Sequence, residues 1–170
     1  DNPLMSFTEI EFESERFLHT LYCENPDNLR TVENALGSTL VARGEVLRIE
    51  GDEESLARSK ELFDLLRIGR EQGFSPRNGD LNRILSKVAE GKGAEFRELF
   101  NEPLVLKLRK TSVVPRNLAQ KKYLRKIMEN DIVFGLGPAG TGKTFLAMAA
   151  ALDSLLRGEV EKIILGYFSS

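Results

Sequence analysis

Residues 7–15 read FTEIEFESE. Ile10 and Phe12 alternate with Glu9, Glu11 and Glu13, the period of two that predicts a strand with one buried face. SERFLHTLY, which follows, predicts a short helix. NPDNLRTVENALG predicts a second helix. Pro26 suits its first turn, Asn25 is placed to cap it, Leu29, Val32 and Leu36 share a face, and Gly37 ends it. The run STLVARGEVLRIEG holds two short apolar-rich stretches around Arg43, Gly44 and Glu45, a hairpin pattern. DEESLARSKELFDLLRIGREQG is the clearest helical pattern in the chain. Asp52 stands at its cap, acids fill its first turn, Leu56, Leu62, Phe63 and Leu66 keep helical order, and Gly73 closes it. The predicted order is β-α-α-β-β-α.

Residues 76–93 form a polar connector with Gly79, Gly91 and Gly93, and they hold one short helical pattern, LNRILSKVAEG, which EFRELF continues. Beyond it LVLKLRKTSVV reads as extended. NLAQKKYLRKIMEN reads as a helix with Leu118, Tyr123 and Ile127 spaced for burial. DIVFGL then predicts an apolar strand, KTFLAMAAALDSLLRGE a helix, and KIILGYF another apolar strand. Continuous apolar strands on either side of a helix predict a buried parallel pair. The expected fold class is therefore α/β, with an α+β module at residues 6–74, a helical connector at 75–102 and a parallel-sheet core at 103–170.

Composition narrows the partners. The chain has 170 residues, enough for one or two small domains, with a net charge of −2. No global field draws it to nucleic acid or membrane, so any such attraction is local. One segment is local in that sense. Residues 103–128 contain Lys107, Arg109, Lys110, Arg116, Lys121, Lys122, Arg125 and Lys126 and no acid. A solvated basic face and an RNA-binding surface are both open readings of it. The single cysteine, Cys23, forms no internal disulfide and reads as an inert, buried thiol. His19 is the only histidine and has no partners at metal-ligand spacing. No apolar run approaches the roughly 18–20 residues that span a bilayer. The first residues carry no leader pattern. Cytoplasm is the expected location.

The chemistry concentrates in one stretch, VFGLGPAGTGKTFLAM. Gly137, Pro138, Ala139, Gly140, Thr141, Gly142, Lys143 and Thr144 fit G-x-x-x-x-G-K-[ST] without a mismatch. Glycines let the backbone curl so that successive N–H groups point at phosphate oxygens. Lys143 can reach the β- and γ-phosphates, and the Thr144 hydroxyl can ligate Mg²⁺. The helix that follows adds its N-terminal N–H groups and dipole. With glycine at about 7% usage, two fixed glycines arise in roughly 0.5% of windows, and the added Lys and Thr bring a chance match anywhere in the chain to the order of one per cent. Gln120 lies upstream. Its amide has the donor and the acceptor that an adenine edge requires.

VPRNLAQKKYLRKIMENDIVFGLGPAGTGKTFLAMAAA resembles the PhoH-like family, P-loop ATPases with a helicase-like core, and ENDIVFGLGPAGTGKT carries most of the likeness. ENPDNLRTVENALGSTLVARGEVLRIEGDEES is similar to that family's N-terminal KH-like module. The resemblance implies ATP binding and hydrolysis with Mg²⁺, residues 137–144 on the phosphates, Lys143 as a catalytic group, Thr144 on the metal, Gln120 on adenine, and a cytoplasmic role linked to RNA. The fold it implies is a KH-like module followed by an incomplete P-loop core. Two departures stand out. A KH module grips RNA with a G-x-x-G loop, but this chain reads CENPDNL there, with Glu24 and Asp27, and acids repel phosphate. A packing or protein-contact role is the alternative. At the other end, GYFSS stands where the family continues with Thr-Arg-Pro-like residues.

Hydrolysis needs a second carboxylate on the metal. After Thr144 the acids are Asp153, Glu159 and Glu161. Asp153 lies about 14 Å along the helix at 1.5 Å per residue, and the other two lie farther on. None is expected to reach the metal, so ATP turnover by this chain is expected to be absent. The uncovered sheet is expected to expose apolar edges, which opens a third reading, a partner-binding or homo-oligomeric piece.

Overall fold

Leu47 and Ile49 are fully buried, while Arg48 between them stays partly exposed. That alternation belongs to the central strand of an antiparallel sheet in the structure, a computed structural model that describes residues 6–166. The sheet is β1 (Ser6–Glu11), β2 (Thr39–Arg43) and β3 (Val46–Gly51), in the order β1-β3-β2. Ile10 faces Leu47 across one ladder, and Leu40 faces Ile49 across the other. The hairpin between β2 and β3 turns at Gly44, whose φ of +59° suits glycine.

Helices α1 (Glu15–Leu21), α2 (Asp27–Leu36) and α3 (Glu53–Glu71) complete the predicted β-α-α-β-β-α order. Their starts are chemically marked. Ser14 accepts from the Phe17 N–H at 3.1 Å, and Asp52 accepts from the Ser55 N–H at 2.8 Å. Asn25 accepts from the Asp27 N–H at 3.1 Å, and Gly37 ends α2 in the left-handed region. Leu18, Leu21, Val32, Leu36, Leu62, Phe63, Leu65 and Leu66 are buried with the inner strand residues. Ser38 and Ser59 satisfy each other inside that core at 2.8 Å.

The segment expected as a connector is helical: α4 (Asn78–Ala89) and α5 (Ala94–Phe100). It does not stand apart. Leu81, Ile84, Leu85, Val88, Phe96, Leu99 and Phe100 are buried, and the Phe74 and Phe100 rings meet at 5.1 Å. Gly69 on α3 makes room for this, since a Cβ there would lie 2.7 Å from Phe100 Cζ. The chain accordingly divides into two compact units, Asp1–Asn101 and Glu102–Ser170.

The second unit contains β4 (Leu106–Lys107), β5 (Ser112–Val113), α6 (Leu118–Glu129) and α7 (Lys143–Leu156). β4 and β5 pair antiparallel. Leu106, Leu124, Leu146, Ala149 and Ala150 form a small core, with Leu104, Val113, Tyr123 and Ile127 against it. The expected parallel pair is a correction. DIVFGL and the described part of KIILGYF form no strand, and the sheets among the described residues are antiparallel. Tyr167 and Phe168 lie outside the described residues. A strand is held by ladders to neighbours, and parallel strands need them on both sides and cover on both faces. Phe134 is 85% exposed and Leu136 92% exposed, and Ile132, Ile164 and Leu165 are exposed too. Apolar side chains are therefore exposed here, but on segments without a ladder and not at a sheet edge.

Candidate functional site

Helix α7 begins at Lys143, and its N-cap is Gly142 with φ +88°. No side chain caps it and no acid sits in its first turn, so its N–H groups and dipole stay available. The preceding loop curls through Gly137 and Gly140, with φ of +150° and +78°. These are backbone states that L side chains rarely adopt.

The Lys143 side chain folds back into this curl. Its Nζ donates to the Gly137 carbonyl at 2.8 Å, to the Pro138 carbonyl at 2.5 Å and to Thr141 Oγ1 at 3.3 Å. Thr141 Oγ1 donates in turn to the Pro138 carbonyl at 3.1 Å. Thr144 is exposed on the first turn of α7.

Helix α6 supplies the other wall. Asn117 caps it by accepting from the Gln120 N–H at 2.8 Å. Gln120 Oε1 accepts from the Arg116 N–H at 2.8 Å, and Gln120 Nε2 donates to the Thr141 carbonyl at 3.1 Å. Between loop and helix lies a cleft of about 340 Å³, lined among others by Asn117, Gln120, Tyr123, Phe134, Leu136 and Lys143. That volume and its mixed lining are in the range of small-molecule sites. Gly135 also lines it, and a Cβ there would come within 2.9 Å of Tyr123 Oη, so the Tyr123 ring would have to shift.

The loop and cleft lie in the region where known proteins agree with this chain. The family model described as PhoH-like protein matches residues 112–167. The PhoH-like protein of Mycobacterium leprae is 36% identical over 140 residues, 82% of this chain and 40% of its own length. That of Bacillus subtilis (strain 168) is 29% identical over 146 residues, covering 86% and 46%. That of Synechocystis is 32% identical over 139 residues, covering 82% and 42%.

The chain belongs to the PhoH-like family.

It spans less than half the length of these PhoH-like relatives. Their alignments are longer than the second unit, so the likeness extends into the first. No solved structure matches the chain.

Other polar residues of this PhoH-like chain separate into distinct settings. Asp153, on α7, is buried. Its Oδ1 accepts from the Lys107 N–H at 2.7 Å and its Oδ2 pairs with Arg157 at 2.8 Å. Arg157 also pairs with Glu159 at 2.7 Å. Asp153 therefore ties α7 to β4. Its structural role was readable, because Leu146, Ala149, Ala150 and Asp153 fall at i, i+3, i+4 and i+7 on the buried stripe.

The basic residues divide as well. Lys107, Arg109, Lys110 and Lys122 are exposed, Arg125 pairs with Glu102 at 3.3 Å and Lys126 with Glu129 at 3.9 Å. Lys121 is buried, so it is no part of an open basic face. In the first unit Cys23 is half-buried and its Sγ donates to the Pro76 carbonyl at 3.4 Å. Burial, then the Asp80 carboxylate, pushes that thiol's pKa up, away from reactivity. His19 lies 3.7 Å from Glu15, and among the described residues no group of three or more His, Cys, Asp or Glu is placed to hold a metal. No helix among them is long and apolar enough to cross a membrane.

Proposed function

We propose that residues 137–144 bind ATP with Mg²⁺, and that the chain is the ATP-binding N-terminal portion of a helicase-related PhoH-like ATPase that acts in the cytoplasm on or near RNA. The observation that carries this reading is the Lys143 ammonium, held inside a glycine curl at the uncapped start of α7. A phosphate entering the curl exchanges carbonyl partners of that ammonium for anionic oxygens, which form stronger, charge-assisted bonds. In the whole ATPase Lys143 would be the group that stabilises charge on the transferring phosphoryl. The Thr144 hydroxyl, exposed on the first turn, fits a metal ligand. Mg²⁺ held there would supply positive charge against the phosphates. Gln120 faces the cleft with one amide donor and one acceptor position still open, which suits an adenine edge.

The β-α-α-β-β-α order with a β1-β3-β2 antiparallel sheet supports the KH-like reading of the first unit. RNA contact is assigned instead to the basic segment 103–128. Its exposed Lys107, Arg109, Lys110 and Lys122 are the residues that would meet phosphates.

Titration of the chain with MgATP, followed by calorimetry, tests the nucleotide reading. Lys143→Ala is expected to lower affinity at least tenfold, and equal binding by the variant would sink the reading. A second reading, a protein-interaction or homo-oligomeric piece without ATP turnover, is favoured by the exposed Ile132, Phe134 and Leu136. A solution mass above that of the monomer, lost in Phe134→Ser, would favour it.

A further inference from the structure

We propose that Gln120 is a positioning residue for the phosphate loop, and that anion binding there depends on its amide even when the ligand carries no base. The inference rests on the nucleotide reading of the loop, and it adds a second role to a residue expected to meet adenine.

The geometry starts from two partners of fixed polarity. The Arg116 N–H can only donate and the Thr141 carbonyl can only accept. The Gln120 amide must therefore present Oε1 to the first and Nε2 to the second, as observed at 2.8 and 3.1 Å. Asn117 holds the Gln120 backbone from below through the helix cap. The amide is thus braced on α6 before it reaches the loop.

What it holds is a single peptide plane. No peptide bond among the described residues is cis. In a trans peptide the C=O and the following N–H point in opposite directions. Fixing the Thr141 carbonyl toward α6 fixes the Gly142 N–H away from it, at the start of α7. Gly142 is left-handed at φ +88°, and a Cβ on it would lie 3.2 Å from Gln120 Nε2. The amide and the loop backbone are therefore in contact at the point where the chain turns into the helix. Lys143 organises the same curl from within, through the Gly137 and Pro138 carbonyls. Gln120 acts on it from outside. With the amide removed, the peptide between Thr141 and Gly142 regains its freedom to rotate, and its N–H no longer stands ready for an anion.

Each Gln120 atom uses one hydrogen-bonding position and retains another, since the carbonyl has two lone pairs and the amide two hydrogens. Base reading and loop positioning are compatible in one side chain. They are separable by a ligand that has phosphates and no base.

The experiment titrates the full chain, Gln120→Met and Gln120→Ala with Mg²⁺-tripolyphosphate and with MgATP. Melting temperature and circular dichroism serve as folding controls. Methionine keeps the length of the side chain and removes both hydrogen-bonding groups. Both variants are expected to bind tripolyphosphate about five- to tenfold more weakly, the effect of one hydrogen bond. With tripolyphosphate bound at saturation, the Gly142 amide is expected to exchange faster in the variants than in the unaltered chain while the amides of α6 and the later turns of α7 are unchanged, a local signature that a loss of global stability would not produce. Unchanged tripolyphosphate binding in a folded variant, with ATP binding alone weakened, would overturn the proposal and leave Gln120 as a base reader only. Failure of the unaltered chain to bind either ligand would overturn the nucleotide reading itself.

Discussion

The two units treat the same kind of sequence differently. In the first, β3 lies between β1 and β2, and helices bury the face that holds Leu47 and Ile49. In the second, the apolar runs DIVFGL and KIIL carry no ladder, and most of their apolar side chains face solvent. The first set of strands brings its own neighbours through a hairpin and a short helical crossover. The second set is patterned for burial on both faces. Apolar strand pattern predicts what a segment can become, but the ladder also needs partners.

The comparison breaks most sharply in the cores. Phe63→Ala in the first unit is expected to destabilise it by about 3–5 kcal/mol, the cost of lost burial plus a cavity. Phe134→Ser is expected to leave stability within about 0.5 kcal/mol, as at an exposed site, and to lower binding of an apolar dye. Urea denaturation read by circular dichroism checks both. A large loss in Phe134→Ser would mean that this segment is packed in solution.

Asp153 sharpens the comparison inside the second unit. Asp153→Ala is expected to cost about 2 kcal/mol, because the Lys107 N–H then loses a charged acceptor. Arg157→Ala is expected to cost less than Asp153→Ala, since Arg157 is 47% exposed and the Asp153 carboxylate keeps the Lys107 N–H. Similar losses in the two variants would assign the effect to the ion pair and not to the tie between α7 and β4.

A small effect of the opposite sign is expected in the turn between α1 and α2. Cys23 and Glu24 both have positive φ, 61° and 55°, and Glu24 is exposed. Glu24→Gly removes a left-handed strain of about 1–2 kcal/mol and adds backbone entropy to the unfolded chain, for a net gain of up to about 1 kcal/mol. A rise in the thermal midpoint checks it, and a fall would show that the Glu24 side chain has a stabilising partner.

Much of the first unit was legible because its determinants are local. Ser14, Asp52 and Gly37 mark helix ends through bonds to residues three or four positions away, and the alternation of Ile10 and Phe12 with glutamates marks a one-sided strand. LNRILSKVAEG and EFRELF marked α4 and α5 as helices, but the polarity of 76–93 hid the unit that they join. The Phe74, Phe96 and Phe100 cluster shows that they belong to the first unit. Lys121 illustrates the same limit. It lies among exposed basic neighbours in sequence, yet the turn of α6 carries it to the buried side.

For the candidate site, the sequence by itself determined the chemistry: the glycines that permit the curl, Lys143 and Thr144 at its end, and a helix to follow. These follow from residue type and spacing along a few turns of chain. Only the tertiary structure decided where the loop is held. It placed Gln120 on the Thr141 carbonyl, Tyr123 against Gly135 and Asp153 on the Lys107 N–H. Each joins residues far apart in sequence, and such contacts depend on how α6, α7 and β4 pack, which no local pattern encodes.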